Sequence, residues 1–135
     1  MKSLNNYIFE SLSNELFEFL KKLDNSKIIF ATDEIKEKYN LKELTISKTL
    51  NDNDDYITLN KIIVNSKGSG NGTIFMKDLC KWADMYGKII CLTPSDSFGA
   101  SSISRLKKFY KKFGFIENKG QKSDFNIKET MYRKV

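Results

Sequence analysis

Three glycines at alternate positions, Gly68, Gly70 and Gly72, follow the β-branched run Ile62, Ile63 and Val64. Lys67, Ser69, Asn71 and Thr73 complete the loop, and an amphipathic stretch begins directly behind it. Glycine permits positive φ and lets a ligand approach the main chain closely. A helix start adds N–H groups without intrahelical partners and the positive end of a dipole. Strand, glycine loop and helix N-terminus in that order suit a phosphate or pyrophosphate. A phosphorylated ligand is therefore the first expectation.

The spacing narrows the choice of ligand. A nucleotide-hydrolysing P-loop requires Lys-Ser or Lys-Thr after its last glycine, whereas Gly72 is followed by Thr73 and Ile74. A dinucleotide fingerprint requires G-x-G-x-x-G and an acidic residue about 20 positions on. Here the glycines alternate with single residues, and Ile90–Thr93 holds no acid. The chain has no histidine, which excludes Ser-His and Cys-His nucleophilic pairs. With only Cys80 and Cys91 besides, neither a Cys/His zinc site nor a disulfide framework is expected, and no metal is assigned.

The segment from Lys67 to Gly72 resembles the Gln/Arg-x-x-Gly-x-Gly/Ala acyl-CoA loop of the GCN5-related N-acetyltransferase (GNAT) superfamily, with Lys67 in the Gln/Arg position. Lysine keeps the charge and gives up a bidentate fork. A second segment, Phe109, Tyr110, Lys111, Lys112, Phe113, Gly114 and Phe115, is similar to the family's aromatic-Tyr-x-x-x-Gly-Phe motif. The resemblance covers about residues 44–135, and the tail from Thr93 to Arg133 is similar to small acetyltransferases of phages and mobile elements. Residues 1–43 match the family's first elements poorly, as a divergent start or an addition.

The resemblance implies a GNAT-like fold: a mixed, mostly antiparallel central sheet flanked by helices. It implies transfer of acetyl from acetyl-CoA directly to a primary amine, on a protein lysine or a small molecule, with coenzyme A as product. Main-chain N–H groups from Gly68 to Thr73 would hold the pyrophosphate. Main-chain groups of Ile62, Ile63 and Val64 would pair with the pantetheine arm as an added strand does. Tyr110 would protonate the departing thiolate. Lys107, Lys108, Lys111 and Lys112 would attract the 3′-phosphate. Where many relatives carry a cofactor-contacting asparagine this chain has serines, of which Ser102 is the substitute. No base is assigned among Asp54, Asp55 and Asp96, and a water relay is expected. The rival reading is a non-catalytic GNAT-like module that binds a protein partner, and a homodimer is left open.

These residues must be placed by a single domain of 135 residues. Leu4, Ile8, Leu12, Leu16, Phe19 and Leu23 predict a helix from Ser3 to Leu23. Strands are predicted over 27–31, 44–50 and 56–64, with a short helix over 33–39 closed by Asn40 and a turn over 51–55. Phe75, Leu79, Trp82, Ala83 and Tyr86 mark the buried face of the next helix, which Gly87 closes. An apolar strand over 88–93 follows, then a loop, and a helix capped by Ser101 or Ser102 that stops at Gly114. Strands over 115–118 and 125–132 finish an α/β or α+β domain around a mixed sheet.

Charge is uneven. Residues 1–66 carry 9 basic and 11 acidic side chains, and residues 67–135 carry 14 and 6. The positive half begins at the glycine loop, where an anion would be held. CoA accounts for that charge as well as nucleic acid does, and no nucleic-acid motif is present. The chain has neither an apolar run of membrane-spanning length nor signal-peptide features at its start, so a cytoplasmic protein is expected.

Overall fold

The computed structural model describes residues 14–48, 55–66, 70–95 and 102–134. Its helices are α1 (Asn14–Lys21), α2 (Asp33–Tyr39), α3 (Asn71–Tyr86) and α4 (Ile103–Lys111). Its strands are β1 (Ile28–Phe30), β2 (Leu41–Lys48), β3 (Tyr56–Val64), β4 (Ile89–Leu92), β5 (Ile116–Glu117) and β6 (Met131–Arg133). They form one sheet in the order β1-β2-β3-β4-β6-β5, and β3–β4 is its parallel pair. The α/β reading with a mixed, mostly antiparallel sheet and flanking helices is what the chain adopts.

Local chemistry sets the helix ends. Thr32 caps α2 by accepting the Ile35 N–H at 3.3 Å, and Asn40 ends it at φ 54°. Gly70 precedes α3 at φ 84° and Gly87 follows it at φ 65°, positions where a side chain would be strained. Ser102 caps α4 by accepting the Arg105 N–H at 3.1 Å.

Strand alternation divides the sheet into two faces. One carries Ile29, Leu44, Ile46, Ile57, Leu59, Ile90, Leu92 and Met131, packed in one core with Leu16, Phe19, Ile35, Phe75, Leu79 and Tyr110 of the four helices. The opposite face carries Thr58, Cys91 and Tyr132, and a small cluster of Cys91, Ile127 and Tyr132 forms there. No helix among the described residues covers that second face. None is long and apolar enough to cross a membrane.

Several expectations need correction. The segment over 125–132 is not a strand except for its end, since β6 begins at Met131. Asn118 displaces the ladder: its amide donates to the carbonyls of Asp124, Ile127 and Glu129, and its Oδ1 accepts the Asp124 N–H. A side chain that supplies these bonds lets the backbone fold as a loop, and Phe125 is left 98% exposed. Strand β2 begins at Leu41 rather than Leu44, because Leu41 pairs with Val64. Tyr86, expected on the buried face of α3, is exposed at the helix end, its ring 5.7 Å from Phe17 and 5.9 Å from Trp82. Of the first predicted helix, residues 1–13 lie outside the described residues, and Lys22–Asp24 forms a 3-10 turn.

Candidate active site

Strand β3 has nine residues and pairs with β4 through only four of them, from Tyr56↔Ile89 to Leu59↔Leu92. Beyond Leu59 it continues against β2 alone. Asn60 is the reason. On the β2 side Ile46 pairs with Leu59 and Thr45 with Lys61, so Asn60 is an extra residue, a β-bulge. A bulge bends its strand and increases local twist, and it falls where the parallel pairing stops. In an antiparallel ladder alternate residues direct N–H and C=O groups away from their partner. Residues Leu59 to Ile62 of β3 border a cleft lined also by Leu92, Thr93, Pro94, Ser95, Leu106 and Tyr110. Two further hollows lie elsewhere, one beside Leu20, Trp82 and Lys88 and one between Glu15, Lys22 and Glu34.

Ile62, Ile63 and Val64 thus form the open-edged half of β3. Its end is pinned by Asn65, whose N–H donates to the Asn40 carbonyl at 3.1 Å and whose Nδ2 donates to Asn40 Oδ1 at 2.9 Å. Lys67, Gly68 and Ser69 lie outside the described residues. Gly70 is the N-cap of α3, and Asn71, Gly72 and Thr73 are its first turn. That turn has no acidic residue, so its own sequence does not offset the dipole's positive end. A Cβ on Gly72 would sit 3.6 Å from Phe109 Cζ and 3.7 Å from Val64 Cγ1. The two sequence motifs, far apart along the chain, therefore meet in space beside the end of β3.

Tyr110 is 7% exposed and lines the cleft from α4, packed edge-on against Phe109 and Phe115. Its hydroxyl makes no hydrogen bond among the described residues. Burial pushes the phenol up to about 12. Ser102 sits at the start of the same helix with its Oγ accepting the capping bond. Lys107 and Lys111 are drawn to Glu117, at 2.9 and 3.3 Å, and these bonds pull its carboxyl down to about 2. The field those two lysines offer a phosphate is correspondingly reduced. Lys108 and Lys112 make no such pair among the described residues.

Burial also raises both thiols. Cys80 is pushed up to about 11, and Cys91 to about 12, the latter with help from the charges of Glu129 and Asp124. The sign is fixed by linkage: the folded state keeps protons that the unfolded chain releases, so stability is intact below pH 9 and falls as pH rises toward 12. Each group removes roughly 1.4 kcal/mol per pH unit only between its unfolded and folded values: Cys80 up to about 11, Cys91 up to about 12, and Tyr110 from the ordinary phenol value up to about 12. Thermal melts between pH 7 and pH 11 are expected to fall steeply above pH 9, and a flat profile would contradict the burial of these groups.

One acidic residue in this region escaped the sequence reading. The Thr58 hydroxyl donates to Glu129 Oε1 at 3.1 Å, on the sheet face opposite the helices. Glu129 Oε2 is buried without a hydrogen-bond partner among the described residues. Its sequence neighbourhood, Lys128-Glu129-Thr130, carries no motif, and only the return of the chain through β6 brings it to Thr58.

No protein-family model matches the chain, and no curated protein sequence matches it. Solved structures similar to it include a protein from Desulfovibrio desulfuricans, provisionally named an acetyltransferase of the GNAT family. The match has a TM-score of 0.54 at 15% identity and covers 95% of this chain and 88% of that one. At that identity the likeness is one of fold. The splayed parallel pair, the helix start behind it and the six-stranded sheet are thus elements of a GNAT-like fold.

Proposed function

We propose that the protein transfers an acetyl group from acetyl-CoA to a primary amine. The observation that carries this reading is the half-strand Asn60–Val64, which leaves its main-chain edge toward a cleft holding Tyr110, with the N-terminus of α3 directly behind. A pantetheine arm is a chain of amides and pairs with such an edge as another strand would. The first turn of α3, with the glycine loop, receives the pyrophosphate. The acetyl carbonyl then lies near the point where β3 and β4 part.

Tyr110 serves the leaving group. A phenol at about 12 is a weaker acid than a thiol at about 8.5, so giving its proton to a thiolate is uphill as an isolated step. It becomes favourable when the phenolate regains a proton from the nitrogen as the amide forms. The nitrogen supplies that proton because attack on the carbonyl leaves it positively charged and acidic, and the amide keeps only one of its two protons. The reaction needs no histidine and no metal ligand set.

Acetyl-CoA at about 100 times its Kd is expected to stabilise the fold by about 2.7 kcal/mol, a melting shift of roughly 8 °C. The shift should persist in moderate salt. Absence of any shift, together with a salt-sensitive shift from DNA or RNA, would overturn the acetyltransferase reading.

A further inference from the structure

We propose that Glu129 receives the acceptor amine and takes its proton, on the sheet face opposite the acetyl donor. The inference rests on the acetyltransferase reading and adds the residue that activates the nucleophile.

The two faces of the sheet supply the argument. Leu59, Leu92 and Met131 lie on the face of the helices, and Tyr110 reaches the cleft from that side. Thr58, Cys91 and Tyr132 form the next row on the opposite face, one residue before the parallel pairing ends. Glu129 is bonded to Thr58, so its carboxylate stands beside the parting of β3 and β4 on that opposite face. Thr93, which lines the cleft, accepts the Thr130 N–H and so ties the Glu129 segment to its wall. An acetyl carbonyl held in the cleft has its thiolate departing toward Tyr110 and its free face turned toward Glu129.

The carboxylate is oriented for a ligand and not consumed by the fold. One oxygen takes the Thr58 hydroxyl, and the other is buried without a partner. Buried polar groups are almost always paired, so such an oxygen calls for an explanation. Asn118 fixes the approach by donating to the Glu129 carbonyl at 3.0 Å, and the Thr130 N–H donates to Thr93 Oγ1 at 3.2 Å. The backbone on both sides of the carboxylate is held. Neighbouring Asp124 is already paired with Lys134 at 3.0 Å, and the Cys91 thiol is uncharged at neutral pH. An ammonium group is the chemistry that satisfies the remaining oxygen.

The protons balance. Glu129 accepts one proton from the ammonium, leaving the neutral amine, and later releases it to solvent. The nitrogen lone pair attacks the carbonyl carbon, the C–N bond forms and the C–S bond breaks. The second nitrogen proton passes through Tyr110 to the thiolate, giving amide and free thiol.

The test compares two small acceptors with acetyl-CoA as donor: n-butylamine, protonated at pH 7, and hydroxylamine, uncharged there and in no need of a base. Glu129→Gln keeps an acceptor for the Thr58 hydroxyl. It is expected to lower kcat/KM for butylamine by about 100-fold or more and to lower that for hydroxylamine far less. Glu129→Asp, which retains the carboxylate, should recover part of the butylamine rate. If Glu129→Gln lowers both acceptors equally, or neither, Glu129 is not the base and the acetyltransferase reading stands. If the unaltered protein acetylates neither acceptor, that reading fails and this inference fails with it.

Discussion

Tyr110→Phe is expected to lower kcat by about 10²- to 10⁴-fold, the range for removing a positioned proton donor. Affinity for acetyl-CoA and thermal stability at pH 7 should stay as they are. Two features make this separation sharp. The Tyr110 hydroxyl makes no hydrogen bond among the described residues, so deleting it breaks none of them. Its ring supplies the packing against Phe109 and Phe115, and phenylalanine retains that ring. The variant should also keep more stability in alkali, because the phenol raised to about 12 no longer contributes to the loss between pH 10 and pH 12. Steady-state kinetics, ligand-induced melting shifts and melts at pH 7 and pH 11 check the three parts. Full turnover in the variant would remove Tyr110 from the chemistry, whereas a large loss of stability at pH 7 would mean that the hydroxyl has a structural partner.

Deletion of Asn60 should have the second largest effect, on cofactor binding. Leu59 and Lys61 already face Ile46 and Thr45, adjacent residues of β2. Removing the extra residue makes that ladder regular without moving any side chain to the other face. The cost is the Asn60 amide's bonds to Ser47 Oγ, at 2.8 Å, and to the Thr58 carbonyl, at 3.4 Å. The fold should therefore survive, while the bend that carries β3 away from β4 is lost. If two or three main-chain hydrogen bonds to the pantetheine arm are lost at about 1 kcal/mol each, affinity falls on the order of 10- to 100-fold or more. Isothermal titration with coenzyme A, alongside a circular dichroism spectrum, reads both outcomes. Unchanged affinity in a folded variant would mean that the bulge does not create the cofactor cleft.

Much of the donor side is local and so legible in the residues. The run Ile62–Val64, the glycine loop, α3 with its buried spacing and Gly87 stop, and the Tyr110 segment are all contiguous patterns. Their cause acts within a few residues: positive φ, capping and helical periodicity. Asn40 closing α2 and Ser102 opening α4 belong to the same class.

What the residues alone conceal is of another kind. That Gly72 touches Phe109 and Val64 depends on α3 and α4 packing on one face of the sheet. The bulge at Asn60 is visible only once β2 is laid beside β3, since an extra residue has meaning only relative to a partner. The segment 125–130 read as part of a strand over 125–132, and the bonds from Asn118 that hold it as a loop span up to 11 residues. Glu129 follows from that loop and from pairing across β6, β4 and β3, which brings it to Thr58 from 71 positions away. The sequence by itself determined the local elements of the proposed donor site, because a phosphate cradle is made of neighbouring backbone. The meeting of Glu129 with Thr58 was decided only by tertiary structure, because it joins single side chains from separate parts of the sheet, where no spacing along the chain records their meeting.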